Sequence, residues 1–107
     1  MASNLEFVEY VCEQIALCGG VRYRKMFGEY MVYVNDKPLL LLCDNTVYAK
    51  QLAVLADLLS ENEVGVPYDG AKPHFILDAD NAAQLQSVVN ILEPLTALPK
   101  SRRKTKN

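Results

Sequence analysis

The sequence has no tryptophan, only one histidine and only three cysteines, and these scarcities narrow the chemistry that the chain can perform. A structural zinc site needs about four closely spaced cysteine or histidine ligands. Cys12, Cys18 and Cys43 show no Cys-x-x-Cys spacing, and His74 lies far along the chain from all three. We therefore expect no metal site and no cofactor, and three buried free thiols of the kind found in reducing compartments.

Long hydrophobic runs are also missing. The longest, such as the run from Leu39 to Cys43, cover a handful of residues, whereas a membrane-spanning helix needs about 20. The N-terminus shows no basic segment followed by an apolar one, which a secretory signal would have. The sequence thus predicts a cytoplasmic protein without membrane association. Its 107 residues, half of them hydrophobic, fit one packed domain.

Charge is distributed unevenly along the chain. The net charge is −2, but residues 100–107 contain five cations and no acid, so residues 1–99 carry −7. The five cations are Lys100, Arg102, Arg103, Lys104 and Lys106. We expect a folded domain over 1–99 and a disordered basic tail, because the tail has few apolar residues. The tail is a candidate contact for nucleic acid, whereas the acidic body disfavours broad binding to phosphate backbones.

A helix is predicted near the N-terminus. Ser3 and Glu6 have the spacing of a capping box, in which each side chain bonds the amide of the other residue. Apolar residues then recur at helical spacing and form one stripe of Leu5, Val8, Cys12 and Ile15. Two glycines beginning at Gly19 should end this helix.

From Val21 onward the apolar period changes from 3.6 residues to 2, which indicates strands. Two strands should meet at Gly28, whose missing Cβ permits a bend or a close backbone approach. Turn-forming residues over 35–38 precede the apolar segment 39–43, which should be a central strand. Asp44 and Asn45 form the next turn, and a fourth strand follows over 46–50.

The second half of the chain alternates helical and extended patterns. We predict a helix over 51–59, an irregular segment over 64–73, a strand over 74–77, and a last helix that Pro94 ends or kinks. The last helix should bury a stripe of Leu85, Val88, Val89 and Leu92. The result is an α+β domain in which an antiparallel meander has its helices on one face. The other face is then either solvated or an interface.

Two patterns could be read as functional sites, and both have simpler explanations. Cationic residues from Arg22 to Lys25 interleave with Tyr23 and Phe27, as in proteins that stack nucleic-acid bases. Aromatic residues on a meander are more often core or cross-strand pairs. Asp78 and Asp80 resemble a catalytic carboxylate pair, but Asp80 precedes a helix and is better explained as its cap. The sequence predicts no catalytic residues.

Several blocks of the sequence match a known family in order and spacing. One block is Met26-Phe27-Gly28-Glu29-Tyr30, followed by Tyr33 and by 38–50, and another covers 67–78. These blocks resemble the amino-terminal domain of the TfoX/Sxy family, named for regulators of DNA-uptake competence. The resemblance implies a short single-domain member and a fold similar to secretion chaperones. In the longer members it implies a regulatory rather than an enzymatic role. It carries over no catalytic residue.

The sequence is compatible with three functions. The first is a regulatory module that binds a protein partner through the strand hairpin at Gly28, Glu29 and Tyr30, and that also forms homodimers through an uncovered sheet face or edge. The second is a small-ligand-binding domain or weak enzyme that uses a pocket beside the 64–73 segment. Its candidate residues are Tyr68, Lys72 and His74. The third is nucleic-acid contact through the basic tail.

Overall fold

The computed structural model describes residues 4–26 and 29–98, which form an α+β domain as predicted. Over these residues, a six-stranded antiparallel sheet packs with two α-helices, α1 (Leu5–Gln14) and α2 (Ala82–Leu95). The strands are β1 (Val21–Met26), β2 (Glu29–Val34), β3 (Lys37–Cys43), β4 (Thr46–Lys50), β5 (Val64–Gly65) and β6 (His74–Leu77). Short 3-10 helices occupy Ala16–Cys18 and Ala53–Leu55.

The sheet order is β1-β2-β3-β4-β6-β5, so the predicted four-strand meander is extended by β6 beside β4 and by β5 at the edge. Two-residue turns join β2 to β3 and β3 to β4. Their residues all have positive φ, the geometry of type I′ turns, which match the twist of a hairpin. They are Asn35 (φ 53°), Asp36 (φ 67°), Asp44 (φ 53°) and Asn45 (φ 54°). Both turns were predicted, although Lys37 and Pro38 belong to β3.

Helix α1 begins one residue later than the capping box predicts. Its N-cap is Asn4, whose side-chain oxygen accepts from the Phe7 amide at 2.8 Å, and the predicted cap Ser3 lies outside the described residues. Asparagine caps as well as serine does, and the backbone of Asn4 also donates to the Asn45 side chain at 3.0 Å. The helix ends at Gln14, and a 3-10 turn continues toward Gly19.

Residues of the central strands alternate between two faces of the sheet. The face toward the helices, here called the helix face, is apolar in the middle of β2, β3, β4 and β6, and both helices pack their buried residues against it. At one end of this face, Lys37 of β3 pairs with Glu93 of α2. The buried members of the helix face include Tyr30, Val32, Leu40, Leu42, Val47, Ala49, Phe75 and Leu77. From α2, all four residues of the predicted stripe are buried. Pro94 lies in the last turn, and the helix ends one residue beyond it.

The segment 51–59 differs from its predicted structure. It forms a 3-10 helix over Ala53–Leu55 followed by turns, instead of an α-helix. Leu52 precedes the 3-10 helix and provides no side-chain cap, so the first amides of that helix lack the partner that would favour an α-helical start. Leu55 and Leu59 nevertheless reach the core, and both are fully buried.

In the described part of the chain, no helix is both long enough and apolar enough to cross a bilayer.

Candidate functional site

The face of the sheet opposite the helices, here called the open face, carries half-buried side chains that no helix covers. The strands place every second residue on this face, and the register aligns Met31 with Leu41, Leu41 with Tyr48, and Tyr48 with Ile76. Each of these four is half-buried, whereas their neighbours in sequence on the helix face are buried. An apolar row therefore crosses four strands and is covered only in part.

Residues 64 and 65 of the predicted irregular segment form β5, and residues 66–73, here called the loop, lie over this open face. The Cys43 thiol on β3 donates to the Pro67 carbonyl at 3.0 Å, which ties the loop to the sheet. Burial raises the pKa of the Cys43 thiol, and the charge of Glu29 adds to the rise, so the thiol stays protonated as this bond requires. The Ala71 amide donates to the Tyr68 carbonyl at 3.0 Å and closes a turn over residues 68–71. Gly70 supplies its positive φ of 88°.

Two cavities lie between the loop and the open face. The first, here called the hairpin hollow, has a volume of about 360 Å³ and lies beside the ends of β1 and β2. The described residues that line it are Met26, Glu29, Met31, Leu41 and Tyr68, so one carboxylate accompanies an otherwise apolar and aromatic surface among them. Tyr68 is 48% exposed and forms the outer wall.

The second cavity, here called the loop cavity, has a volume of about 310 Å³ and shares Met31, Leu41 and Tyr68 with the hairpin hollow. Its remaining lining includes Tyr48 on the sheet and three basic side chains, Lys50, Lys72 and His74. His74 meets the Tyr48 ring edge to face, with ring centres 6.3 Å apart. The cavity is thus apolar at one end and basic at the other.

The structure brings together some of the residues that the sequence proposed for function. Glu29 and Tyr68 meet in the hairpin hollow, and Lys72 and His74 meet in the loop cavity. Tyr30 does not join Glu29, because adjacent residues of a strand point to opposite faces. It is buried on the helix face against the Tyr23 ring, which corrects its place in the proposed contact surface. Gly28 and the five cations of the tail lie outside the described residues.

The interleaved cations and aromatics of β1 do not form one strip. Arg22 and Arg24 share the open face, whereas Tyr23 and Lys25 lie on the helix face, and Phe27 is outside the described residues. The Arg22 guanidinium lies 4.2 Å from the centre of the Tyr33 ring, and its Nε donates to Asp36 at 3.1 Å. These contacts give Arg22 a structural role within the sheet.

The carboxylates before α2 also have structural partners. Asp78 accepts from the Asp80 amide at 2.9 Å, and Asp80 accepts from the Tyr10 hydroxyl at 2.6 Å. The bond to Asp80 is the main reason that the pKa of Tyr10 is raised. The cap of α2 is Asn81, which accepts from the Gln84 amide at 3.0 Å, so Asp80 joins α1 to the start of α2 instead of capping it. Among the described residues, no cluster of cysteine, histidine and carboxylate groups could hold a metal ion.

The chain is similar in sequence to a protein of nearly the same length. An uncharacterized 12.7 kDa protein in the trpE 5′ region of Spirochaeta aurantia is 32% identical to it over 109 residues. The chain belongs to the family of that protein. The alignment covers 99% of this chain and 95% of the spirochaete protein, so the relationship spans the sheet, the loop and both helices. No family model matches the chain.

Two residues of the loop cavity, Tyr48 and Lys50, were missed by sequence reasoning. Both belong to β4, and they become part of the site because β6 pairs with that strand, which makes Lys50 the cross-strand partner of His74. The predicted strand at 74–77 could have paired with either edge of the meander. The alternation of Tyr48 with buried Val47 and Ala49 was the available signal, since it places Tyr48 on the face away from the core.

Proposed function

We propose that this chain is a non-enzymatic module of the cytoplasm that acts in regulation by binding a protein partner. One support is the resemblance of its sequence blocks to the amino-terminal domain of the TfoX/Sxy family, whose longer members regulate competence. The observation that carries the proposal is the hairpin hollow, an uncovered apolar concavity with an exposed aromatic wall. We assign the partner contact to this hollow.

The lining of the hollow favours protein binding for physical reasons. Burial of the exposed Tyr68 ring and of Met31 would remove apolar surface from water, and tyrosine is enriched among residues that dominate interface energies. Among the described residues of the lining, Glu29 alone is charged. A partner segment that inserts an apolar side chain and places a basic group beside Glu29 would complement both properties.

Site-specific cross-linking in the cells that produce the protein tests this proposal. A photo-reactive amino acid at Tyr68 should capture one specific protein. The same group at Leu17, which is 93% exposed and lies next to the C-terminal end of α1, should not capture it. Equal capture at both positions, or none at Tyr68, would remove the support for a contact at the hollow.

The captured protein then allows a quantitative test. Tyr68→Ala should weaken binding by at least about tenfold, as expected for a central interface aromatic. Val66→Ala is a matched control, because Val66 lies in the same loop, is 51% exposed and lines neither cavity. If both variants bind as the unaltered chain does, the hollow is not the contact.

A second candidate function, the binding of a small molecule, is favoured by the loop cavity. The cavity lies beneath the 64–73 segment and contains Tyr68, Lys72 and His74. Its volume falls at the lower end of the range typical of ligand sites, about 300–1,000 Å³. Amide shifts of Leu41 and Tyr48 on titration with small apolar probes test this function, and it fails if no probe moves them.

Contact with nucleic acid through the tail and homodimer formation stay predictions. A chain truncated to residues 1–99 lacks the five basic residues, so any DNA or RNA binding that depends on them should be lost with the tail. Equal, negligible binding by both chains would contradict the nucleic-acid prediction. Sedimentation at several concentrations tests the homodimer.

A further inference from the structure

The basic end of the loop cavity has an arrangement that the protein-contact proposal does not use. Lys50, Lys72 and His74 line the loop cavity, and the same three also line a neighbouring cavity of about 500 Å³. They are the side chains that the two cavities share. Three basic groups therefore gather at one junction, with an apolar chamber on one side and a more polar one on the other.

The positive charge at this junction is not compensated by the described residues. Over residues 4–26 and 29–98, no acidic side chain lines either cavity. Two other cations do have ion-pair partners, since Lys37 pairs with Glu93 at 3.1 Å and Arg22 pairs with Asp36 at 3.1 Å. Among the described residues, neither Lys50 nor Lys72 has such a partner. An anion that entered the junction would meet two ammonium groups free to bind it.

The third basic group is held in a fixed orientation. Nδ1 of His74 lies 2.7 Å from the Lys72 carbonyl, and because a carbonyl oxygen only accepts, Nδ1 carries the hydrogen of this bond. Nε2 is then the atom left to interact with a ligand, as an acceptor in the neutral ring and as a donor to an anion in the ring that carries both protons. The edge-to-face contact with Tyr48 keeps the imidazole ring beside the apolar row.

We propose that the loop cavity binds a small amphiphile that has an apolar body and one anionic head group, a carboxylate or a phosphate. The head group binds Lys50, Lys72 and His74, and the body lies on Met31 and Leu41 beneath Tyr68. This inference rests on the second candidate function and names its ligand class. The volume equals about ten water volumes of roughly 30 Å³ each, which suits a medium-length alkyl chain or a single aromatic ring.

Titration of the isolated full-length chain with four probes of one chain length tests the inference. The probes are octanoate, octyl phosphate, 1-octanol and octylamine, and the readout is the shift of backbone amides along β3, β4 and β6. At least one anionic probe should bind saturably and about tenfold more tightly than 1-octanol, with octylamine weakest. The stronger of the two anionic probes identifies the head group.

Variants separate the head-group contact from the apolar contact. Replacing both Lys50 and Lys72 with alanine should reduce the affinity for the anionic probe to that for 1-octanol, while 1-octanol binds as before. Both lysines are exposed, so the fold should persist, and unchanged amide spectra away from the cavity would verify this. Lys25→Ala is the control, because Lys25 is an exposed lysine that lines neither cavity.

The possible results have distinct meanings. If 1-octanol binds as tightly as the anions, or if the double variant binds octanoate and octyl phosphate unchanged, the inference is wrong although a ligand site exists. If none of the four probes binds, both this inference and the second candidate function are wrong. Either result leaves the protein-contact proposal standing, since the titration involves no partner.

Discussion

Asn35 shows how one polar side chain can hold two segments together. The side-chain oxygen of Asn35 accepts from the Gly20 amide at 2.9 Å, and the backbone amide of Asn35 donates to the Gly20 carbonyl at 2.8 Å. The residue before Gly20 must also be glycine for the two segments to come this close. A Cβ on Gly19 would lie 2.7 Å from the Asn35 side-chain oxygen, and the φ of Gly19 is 153°. The two glycines, predicted as a helix stop, therefore also bring the chain against the β2–β3 turn.

We predict that Asn35→Ala lowers the free energy of unfolding by about 1–3 kcal/mol, because it removes the bond to Gly20 and places alanine at a φ of 53°. Asn35→Gly should cost less, since glycine accepts this backbone conformation and only the side-chain bonds to Gly20 and Glu93 are lost. Asn90→Ala, at an exposed position of α2, is the control. Urea unfolding gives the three values, and equal values for the two alanine variants would contradict the prediction.

At the scale of elements, local patterns were most informative where burial follows a regular period. The strands over 46–50 and 74–77 were predicted with their observed limits, and the α2 stripe was predicted residue by residue. The pairing of β4 with β6 was not predicted, because no local pattern specifies which distant strand a segment joins. The loop cavity depends on this pairing, so its chemistry could be predicted only in part.

The 51–59 segment illustrates a different limit. The leucine spacing predicted which side chains enter the core, yet the backbone is not the α-helix that this spacing suggested. The composition of this segment favours an α-helix. However, the segment starts without a cap and buries only two side chains, so forming a complete α-helix would add little stability. Asn62 then anchors the end of the segment by donating to the Ile76 carbonyl at 2.9 Å.

We predict that the segment contributes to stability through its two buried leucines, whatever its backbone form. Leu59→Ala should lower the free energy of unfolding by about 2–5 kcal/mol, because it leaves a cavity in the core. Leu58→Ala, one residue away and 39% exposed, should cost less than about 1 kcal/mol. Thermal or urea unfolding of the two variants tests this, and similar losses would mean that Leu59 is not in the core.

At the scale of the whole molecule, alkaline pH should weaken the fold. Burial raises the pKa of the Cys12 thiol from its usual 9.0 to about 11, with the charge of Glu9 as a smaller cause. Burial also raises the pKa of Cys18 and of Tyr48. A raised pKa means that the folded state holds its proton more tightly than the unfolded state does. The stabilisation is therefore complete below about pH 9 and is lost as the pH rises toward 11.

We predict that the free energy of unfolding falls between about pH 9 and pH 11, with about 2 kcal/mol of the fall due to Cys12. Cys12→Ala should be less stable at neutral pH but should show a smaller fall over this range, because the group that titrates is gone. Urea unfolding at intervals across this range gives both curves. Parallel curves would show that the Cys12 thiol titrates alike in the folded and unfolded states.

The two edges of the sheet have different protection against further strand pairing. β1 exposes Arg22, Arg24 and Lys25, so a second copy placed antiparallel along it would bring like charges together. β5 has only two residues, Val64 and Gly65, which is too short to form a stable ladder of hydrogen bonds with a strand of a second copy. Of the two surfaces predicted for a homodimer, a sheet edge or the uncovered sheet face, these features favour the open face. Such a dimer would cover the hairpin hollow, so self-association and partner binding would be alternative states of one surface, and protein concentration would set the balance between them.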